Sequence, residues 1–286
     1  MKEIDAKTKV CALIGDPVEH SFSPLIHNTG FQECGLNFVY VAFPVKDVEH
    51  AIRGIRALGI RGVSITIPHK VKAIGYVDRL DSVAQKIGSI NTIVNQDGEL
   101  VGYNSDGMGA LKVFQDLGID LKGKTVLILG SGGVARAIAF SLIMNASLKR
   151  LSILGIIPEE LETLVSDLRK VGGTDIQEGL LREAILQKTI CESDILINCT
   201  PVGMHPKVEE TPVPSSFLRQ GLLVFDVVYN PPQTKLLNDA QKAGGMTISG
   251  LEMFINQAIV QFELWTGEKA PVEIMKKVLL EQIAQG

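Results

Sequence analysis

The chain has 286 residues, 45% of them hydrophobic and 21% charged, which describes a globular protein long enough for two domains of ordinary size. A formal net charge of −4 offers no footprint for a polyanion, so nucleic acid is excluded as an expected partner. No apolar run reaches the ~18 residues that would span a bilayer, and the polar opening MKEIDAKTK lacks a secretory h-region, so a cytoplasmic protein without membrane contact is expected.

Strand-like and helix-like segments alternate along the chain, the pattern of an α/β protein with parallel sheets. KVCALIGDP reads as a strand closed by Gly15 and Pro17, and SPLIHNTGFQECG as the helix after it. NFVYVAFPV and GVSITIP repeat the strand signal, with VEHAIRGIRALG as the helical crossover between them. INTIVNQDGELVGYNS reads as a hairpin, because Asp97-Gly98 lies between two β-branched runs. This first series ends near Asp106, and DGMGALKVFQDLG is a connecting helix. A second series opens at Lys122 with KTVLILGSGGVARAIAFSLIMNA, a strand, a glycine turn and a helix. LSILGI follows as a strand, Pro158 suits the first position of the next helix, and SDILINCT, LLVFDVVY and MTIS supply later strands. The tail returns to helix in LEMFINQAIVQFELW and PVEIMKKVLLEQIA. Periodicity leaves open which domain these helices join.

The cysteines Cys11, Cys34, Cys191 and Cys199 form no C-x-x-C pair. Two of them fall in strand-like runs, so buried free thiols are expected. The histidines His20, His27, His50, His69 and His205 show no metal-ligand spacing, and no metal is expected.

LILGSGGVARAIAF fits G-x-G-x-x-A at Gly130, Gly132 and Ala135, with Ser131, Gly133 and Val134 completing the loop. The glycines allow a sharp turn and close approach to a pyrophosphate, and the helix from about Val134 offers N–H groups and a positive dipole end. From Gly130 to Gly155 is 155 − 130 = 25 residues, near the ~20-residue spacing at which a ribose-reading side chain is expected. That place holds Gly155, Ile156 and Ile157, none of which reads a 2′-hydroxyl or pairs a 2′-phosphate. Lys149 and Arg150 lie at the start of the strand, and at ~3.3 Å per residue Arg150 is about 16 Å from its carboxyl end. Glu159 and Glu160, in the first turn of the next helix, would repel a 2′-phosphate or merely complement the helix dipole. The residues taken alone lean toward NAD, or toward a cofactor held with little discrimination.

Three further motifs are polar where a fold needs no polarity. In GDPVEHSFSPLIHN, Ser21 and Ser23 precede Pro24 at a helix start, so one of them is a natural N-cap and the two together make a carboxylate cradle. In GVSITIPHK, Lys70 follows the carboxyl end of a strand, the usual place for a ligand crevice. In GYNSDGMG, Asp106 sits between Asn104 and two glycines at the domain junction. Taken singly, Lys70 reads as a surface charge and Asp106 as a turn or N-cap residue.

The ordered series HSFSPLIHN, ITIPHK, GSINTIV, GYNSDGMG, LGSGGVARA, NCTPVGM, VYNPPQTKLL and GLEMFINQAIVQFELWTG resembles the shikimate dehydrogenase family from end to end. The resemblance implies reversible reduction of 3-dehydroshikimate to shikimate, usually with NADPH, in aromatic amino-acid biosynthesis. It implies Lys70 and Asp106 as a catalytic pair, Ser21 and Ser23 on the substrate carboxylate with Tyr229 nearby, and Thr66, Asn91, Asp106 and Gln257 on the ring hydroxyls. It also implies an α/β fold of two domains with a cleft between them. Residues 1–106 with 251–286 would bind substrate, and residues 107–250 would form the Rossmann-type dinucleotide domain. Hydride delivery to a ketone builds charge on oxygen, which a nearby ammonium stabilises and protonates, so Lys70 suits the role on chemical grounds as well. NADP-using members carry Asn-Arg-Thr where this chain has Gly155-Ile156-Ile157, with Glu160 near the place of a second Arg. The cofactor is therefore NADP or NAD: NADP by family habit, NAD by the residues. Within the resemblance a quinate-accepting relative, often NAD-using, is the main rival, and a shikimate-sensing module without turnover is a second. The protein is expected as a monomer or homodimer.

Overall fold

The structure is a computed structural model that describes residues 4–285; the first three residues of the polar opening, and Gly286, lie outside the described residues. The chain divides into two compact units, one running to Ser105 and resuming at Ile255, the other Asp106–Phe254. The divisions fall at 105/106 and 254/255, where the sequence reading sets them at 106/107 and 250/251. Among the described residues no helix is long and apolar enough to cross a membrane.

The first unit contains β1 (Lys9–Gly15), α1 (Ser23–Glu33), β2 (Phe38–Pro44), α2 (Val48–Ala57), β3 (Gly62–Ile65), β4 (Arg79–Leu80), α3 (Ser82–Ile87), β5 (Thr92–Gln96) and β6 (Glu99–Tyr103). Its sheet runs β2-β1-β3-β5-β6-β4. β2, β1 and β3 are parallel, and β5 pairs antiparallel with both β3 and β6. The β5–β6 turn is the expected hairpin, with Asp97 at φ +53° and Gly98 at φ +100°, the two left-handed residues of a tight primed turn. Side-chain caps set two helix starts: Asp47 accepts from the His50 N–H before α2, and Asp81 from Val83 and Ala84 before α3. One face of the sheet buries Ile14, Val63 and Ile93 against Ile52 and Ile55 of α2.

The second unit contains α4 (Asp106–Asp116), β7 (Thr125–Leu129), α5 (Gly133–Asn145), β8 (Arg150–Gly155), α6 (Pro158–Val171), β9 (Asp175–Leu180), α7 (Glu183–Cys191), β10 (Ile195–Asn198), β11 (Leu223–Asp226), α8 (Lys235–Lys242) and β12 (Met246–Ile248). All six strands are parallel in the order β12-β11-β10-β7-β8-β9. The order reverses between β7 and β10, the point at which such a sheet opens a crevice at its carboxyl edge. Leu127, Leu196 and Val224 of the central strands are buried against α7 and α8 through Leu186, Ile190 and Leu236.

The tail forms α9 (Gly250–Thr266) and α10 (Val272–Gln285). From Ile255 on it joins the first unit, which settles what periodicity left open. Trp265 of α9 lies so close to β3 that a Cβ at Gly62 would come within 2.2 Å of its ring. Gly30 of α1 likewise leaves room for Phe262 and Met275, at 3.0 and 3.1 Å from an added Cβ. Of the two strand cysteines, Cys11 is buried within β1, whereas Cys199 lies one residue beyond β10 and is half-buried.

Candidate active site

In the first unit the polar residues singled out by the sequence gather at the carboxyl edge of the parallel strands. The chain leaving β1 and the chain leaving β3 are laced together, Thr66 N–H to Ile14 carbonyl at 2.9 Å and Asp16 N–H to Ile67 carbonyl at 2.9 Å. Lys70 follows four residues after Thr66 and is half-buried. The His69 ring lies 2.6 Å from the Val45 carbonyl through Nε2, and the Lys70 carbonyl accepts from the Ile90 N–H at 2.9 Å. These bonds clamp the turn that carries Lys70 between the ends of β2 and β5. Asn91 is next to Ile90, with its carbonyl accepting from Ile65 at 2.7 Å.

The serines at the start of α1 correct one expectation. Neither is a side-chain N-cap: Phe22 holds that position without a capping bond. Ser21 Oγ instead accepts from the Ser23 N–H at 3.2 Å, and the two hydroxyls are themselves 3.2 Å apart. Because the cap position is passed over, both hydroxyls stay together at the positive end of the helix.

Asn91 is 2% exposed, and its amide is engaged: Oδ1 accepts from the Thr92 hydroxyl at 2.8 Å and Ser105 N–H at 2.9 Å, and Nδ2 donates to Ser105 Oγ at 2.9 Å. Behind it runs a buried chain that the sequence reading missed. Tyr40 donates to Ser64 Oγ at 2.7 Å, Ser64 donates to Gln261 Oε1 at 2.7 Å, and Gln261 Nε2 donates to Thr92 Oγ1 at 3.0 Å and the Asn91 carbonyl at 3.2 Å. The available signal was the i, i+4 spacing of Gln257 and Gln261, which puts both on one face of α9. Gln257 is half-buried.

In the second unit the glycine loop leaves β7 at the crevice point of the sheet. Gly130 has φ +103°, and an added Cβ there would sit 3.3 Å from the Cys199 backbone of the neighbouring β10 loop. Gly132 precedes α5, with no atom within 4 Å of an added Cβ and no side chain capping the helix. Val134 is half-buried and Ala135 buried in the first turn. Open backbone followed by an uncapped helix N-terminus fits a pyrophosphate, so these residues suit a dinucleotide. At the end of β8, an added Cβ on Gly155 would lie 3.0 Å from Ser131 Oγ, while Ile156 is 75% exposed.

Asp106 is buried and is the first residue of α4. Its neighbour Gly107 lets α4 press on α5, since a Cβ there would lie 2.0 Å from Ser141 Oγ and 2.6 Å from the Ala137 carbonyl. The helix bearing Asp106 is thus seated on the helix of the glycine loop. Tyr229 is half-buried, its ring stacked on Phe254 at 4.2 Å. Three residues earlier in the chain is another group the sequence reading missed: Asp226, at the end of β11, accepts from Thr234 at 2.6 Å, Asn198 at 2.9 Å and Val228 N–H at 3.1 Å. Burial pushes its carboxyl up to about 6, against the opposing pull of those three donors. Among the described residues no cluster of His, Cys, Asp and Glu could hold a metal.

The shikimate dehydrogenase substrate binding domain matches residues 13–93, and the shikimate 5′-dehydrogenase C-terminal domain matches residues 250–280. The chain is 44% identical over 283 residues to a shikimate dehydrogenase (NADP(+)) of Moorella thermoacetica, covering 98% of this chain and 96% of that protein. A shikimate dehydrogenase structure in complex with NADP+ superposes with a TM-score of 0.87 at 40% identity, covering 98% of each chain. Shikimate 5-dehydrogenase from Listeria monocytogenes, in complex with shikimate and NAD, gives a TM-score of 0.85 at 36% identity, covering 98% of this chain and 99% of that one. With such identity running the length of a chain whose two units carry the serine pair, the lysine turn and the glycine loop, the protein belongs to the shikimate dehydrogenase family.

Proposed function

We propose that this chain catalyses the reversible NAD(P)-dependent reduction of 3-dehydroshikimate to shikimate, with substrate on the first unit and cofactor on the second. The observation that carries the reading is the paired Ser21 and Ser23 hydroxyls, together with Lys70, at one edge of a sheet in a chain of this family. The nicotinamide ring, when bound, supplies or accepts the hydride. The Ser21 and Ser23 hydroxyls donate to the substrate carboxylate, with Tyr229 near it. Thr66, Asn91 and Gln257 hold ring hydroxyls, the Asn91 amide oriented by its bonds to Ser105 and Thr92. Lys70 stabilises the negative charge that develops on the carbonyl oxygen and gives it a proton; in the oxidative direction its amine takes the proton back. Asp106 accepts a hydrogen bond from the adjacent hydroxyl and orients it. The enzyme works in the cytoplasm, as a monomer or homodimer.

The test is the initial rate of nicotinamide reduction with shikimate as substrate, run with NAD and with NADP, beside the same assay with quinate. Turnover of shikimate exceeding that of quinate is expected. Faster quinate turnover would reassign the substrate, and shikimate binding without turnover on either cofactor would mark a sensing module instead.

A further inference from the structure

We propose that Glu160 reads the adenosine ribose as an unphosphorylated diol, making NAD rather than NADP the preferred cofactor. This rests on the reading of the second unit as the cofactor-binding unit, and it goes beyond that reading by assigning discrimination to a residue.

In a parallel sheet of this order, the ribose next to the adenine lies at the carboxyl end of the second strand, here β8. That strand ends in Gly155, which has no side chain to read a ribose, and a Cβ added there would press on Ser131 of the glycine loop, 3.0 Å away through Oγ and 3.3 Å through Cβ. Discrimination must therefore come from another segment. Glu160, in the first turn of α6, reaches back to the loop and sets Oε2 3.5 Å from Ser131 Oγ. A carboxylate in that place accepts hydrogen bonds from a vicinal diol, and it repels a 2′-phosphate carrying roughly −1.5 to −2 charges. The exposed side chains of Ile156 and Ile157 offer an apolar face beside it, suited to a purine.

The bases that could counter Glu160 are placed elsewhere. Arg150 is at the amino end of β8, paired with Asp175 at 2.8 Å and Glu192 at 3.2 Å. Arg136 of α5 is 8% exposed, pairs with Asp167 and lies over the Phe140 ring. Arg182 comes nearest, since Leu181 before it donates to the Gly155 carbonyl at 2.8 Å. It follows β9, however, on the side of β8 away from β7 and the glycine loop.

The experiment compares the full chain with its E160Q and R182A variants by calorimetric titration with ADP-ribose and with its 2′-phosphorylated form, neither of which turns over. It is paired with kcat/KM for NAD and NADP in shikimate oxidation. The parent is expected to favour the unphosphorylated ligand and NAD by about tenfold or more, the scale of hydrogen bonds to a charged group. E160Q should narrow both ratios by at least about fivefold, chiefly by admitting the 2′-phosphate, while R182A leaves them unchanged. Tighter binding of the 2′-phosphorylated ligand by the parent, or ratios unmoved in E160Q, overturns the proposal. A preference for NADP that disappears in R182A moves ribose reading to Arg182. Selective binding of ADP-ribose without shikimate turnover would strike the assigned reaction and leave this inference standing. Turnover with equal use of both cofactors would do the reverse.

Discussion

Lys70, the residue proposed to move the proton, sits in a turn whose backbone is fastened on both sides, by the His69 ring to the chain leaving β2 and by the Ile90 N–H to the approach to β5. Proton transfer by a positioned side chain is worth about 10²–10⁴-fold in rate. Lys70→Ala is therefore predicted to lower kcat for shikimate oxidation by about that factor, with shikimate affinity by calorimetry little changed. A kcat within about twofold of the parent would move the proton transfer to another group. The sequence offered Lys70 through a short motif, ITIPHK, at the end of a strand. It could not offer the clamp, because Val45 is 24 residues from His69 and Ile90 is 20 from Lys70 (69 − 45 and 90 − 70), and they meet the turn only through the tertiary fold. At the α1 start the local rule chose wrongly: Ser21 Oγ turned to the Ser23 N–H, and Phe22 became the cap residue. A serine has several N–H groups within reach, and a pattern of residue types cannot say which it takes.

Helices in this chain show how one glycine is required and another is not. Gly107 of α4 faces α5, where an added methyl would meet both the Ser141 hydroxyl and the Ala137 carbonyl. Gly54 of α2 has nothing within 4 Å of an added Cβ. Gly107→Ala is predicted to cost about 1–3 kcal/mol through overpacking, read as a lower thermal midpoint, and Ser141→Ala should restore only part because the carbonyl stays. Gly54→Ala should stabilise by about 0.4–1 kcal/mol, as a glycine replaced in an open helix does. Equal effects at the two positions would show that α4 and α5 are not so closely seated. The glycine loop and the Asp97-Gly98 hairpin were legible because backbone sterics within a few residues decide them. The purpose of Gly107 was not, since its reason is a helix thirty residues on.

Across the molecule, two buried titratable groups answer acid in opposite senses. His27 of the first unit is stacked on Tyr40 at 4.6 Å, with Trp265 at 5.0 Å, and neither ring nitrogen has a partner in hydrogen-bonding geometry. Burial pushes it down to about 3 from its ordinary 6.5, with the nearby Gln261 amide opposing part of the shift. The unfolded chain takes up a proton there first, so this unit loses stability as pH falls from about 6.5 toward 3. Asp226 of the second unit is raised to about 6 from 3.8, so the folded state holds a proton that the unfolded chain has released. That unit gains stability as pH falls from about 6 to 3.8. Trp265 is the only tryptophan in the sequence, and its fluorescence reports the first unit. Acid is predicted to weaken that unit, and His27→Phe, which keeps the stack, should flatten the trend. Asp226→Asn should flatten the opposite trend in the second unit, read by hydrogen exchange of β10 and β11. An acid slope in the His27→Phe protein equal to the parent's would refute the assignment.

What the sequence determined by itself is what short-range sterics and periodicity control: the alternation of strands and helices, the glycine loop, the hairpin, and the order of motifs that marks the family. Tertiary structure alone decided the rest. It sent the chain after Ile255 back to the first unit, because Trp265 and Phe262 fill space left by Gly62 and Gly30. It placed Gln261 behind Asn91, and it brought the Glu160 carboxylate to Ser131. Each of these joins residues 29 to 232 positions apart, beyond the reach of any local pattern (160 − 131 and 262 − 30). Such contacts are fixed by which surfaces pack together, and packing is a property of the whole folded chain.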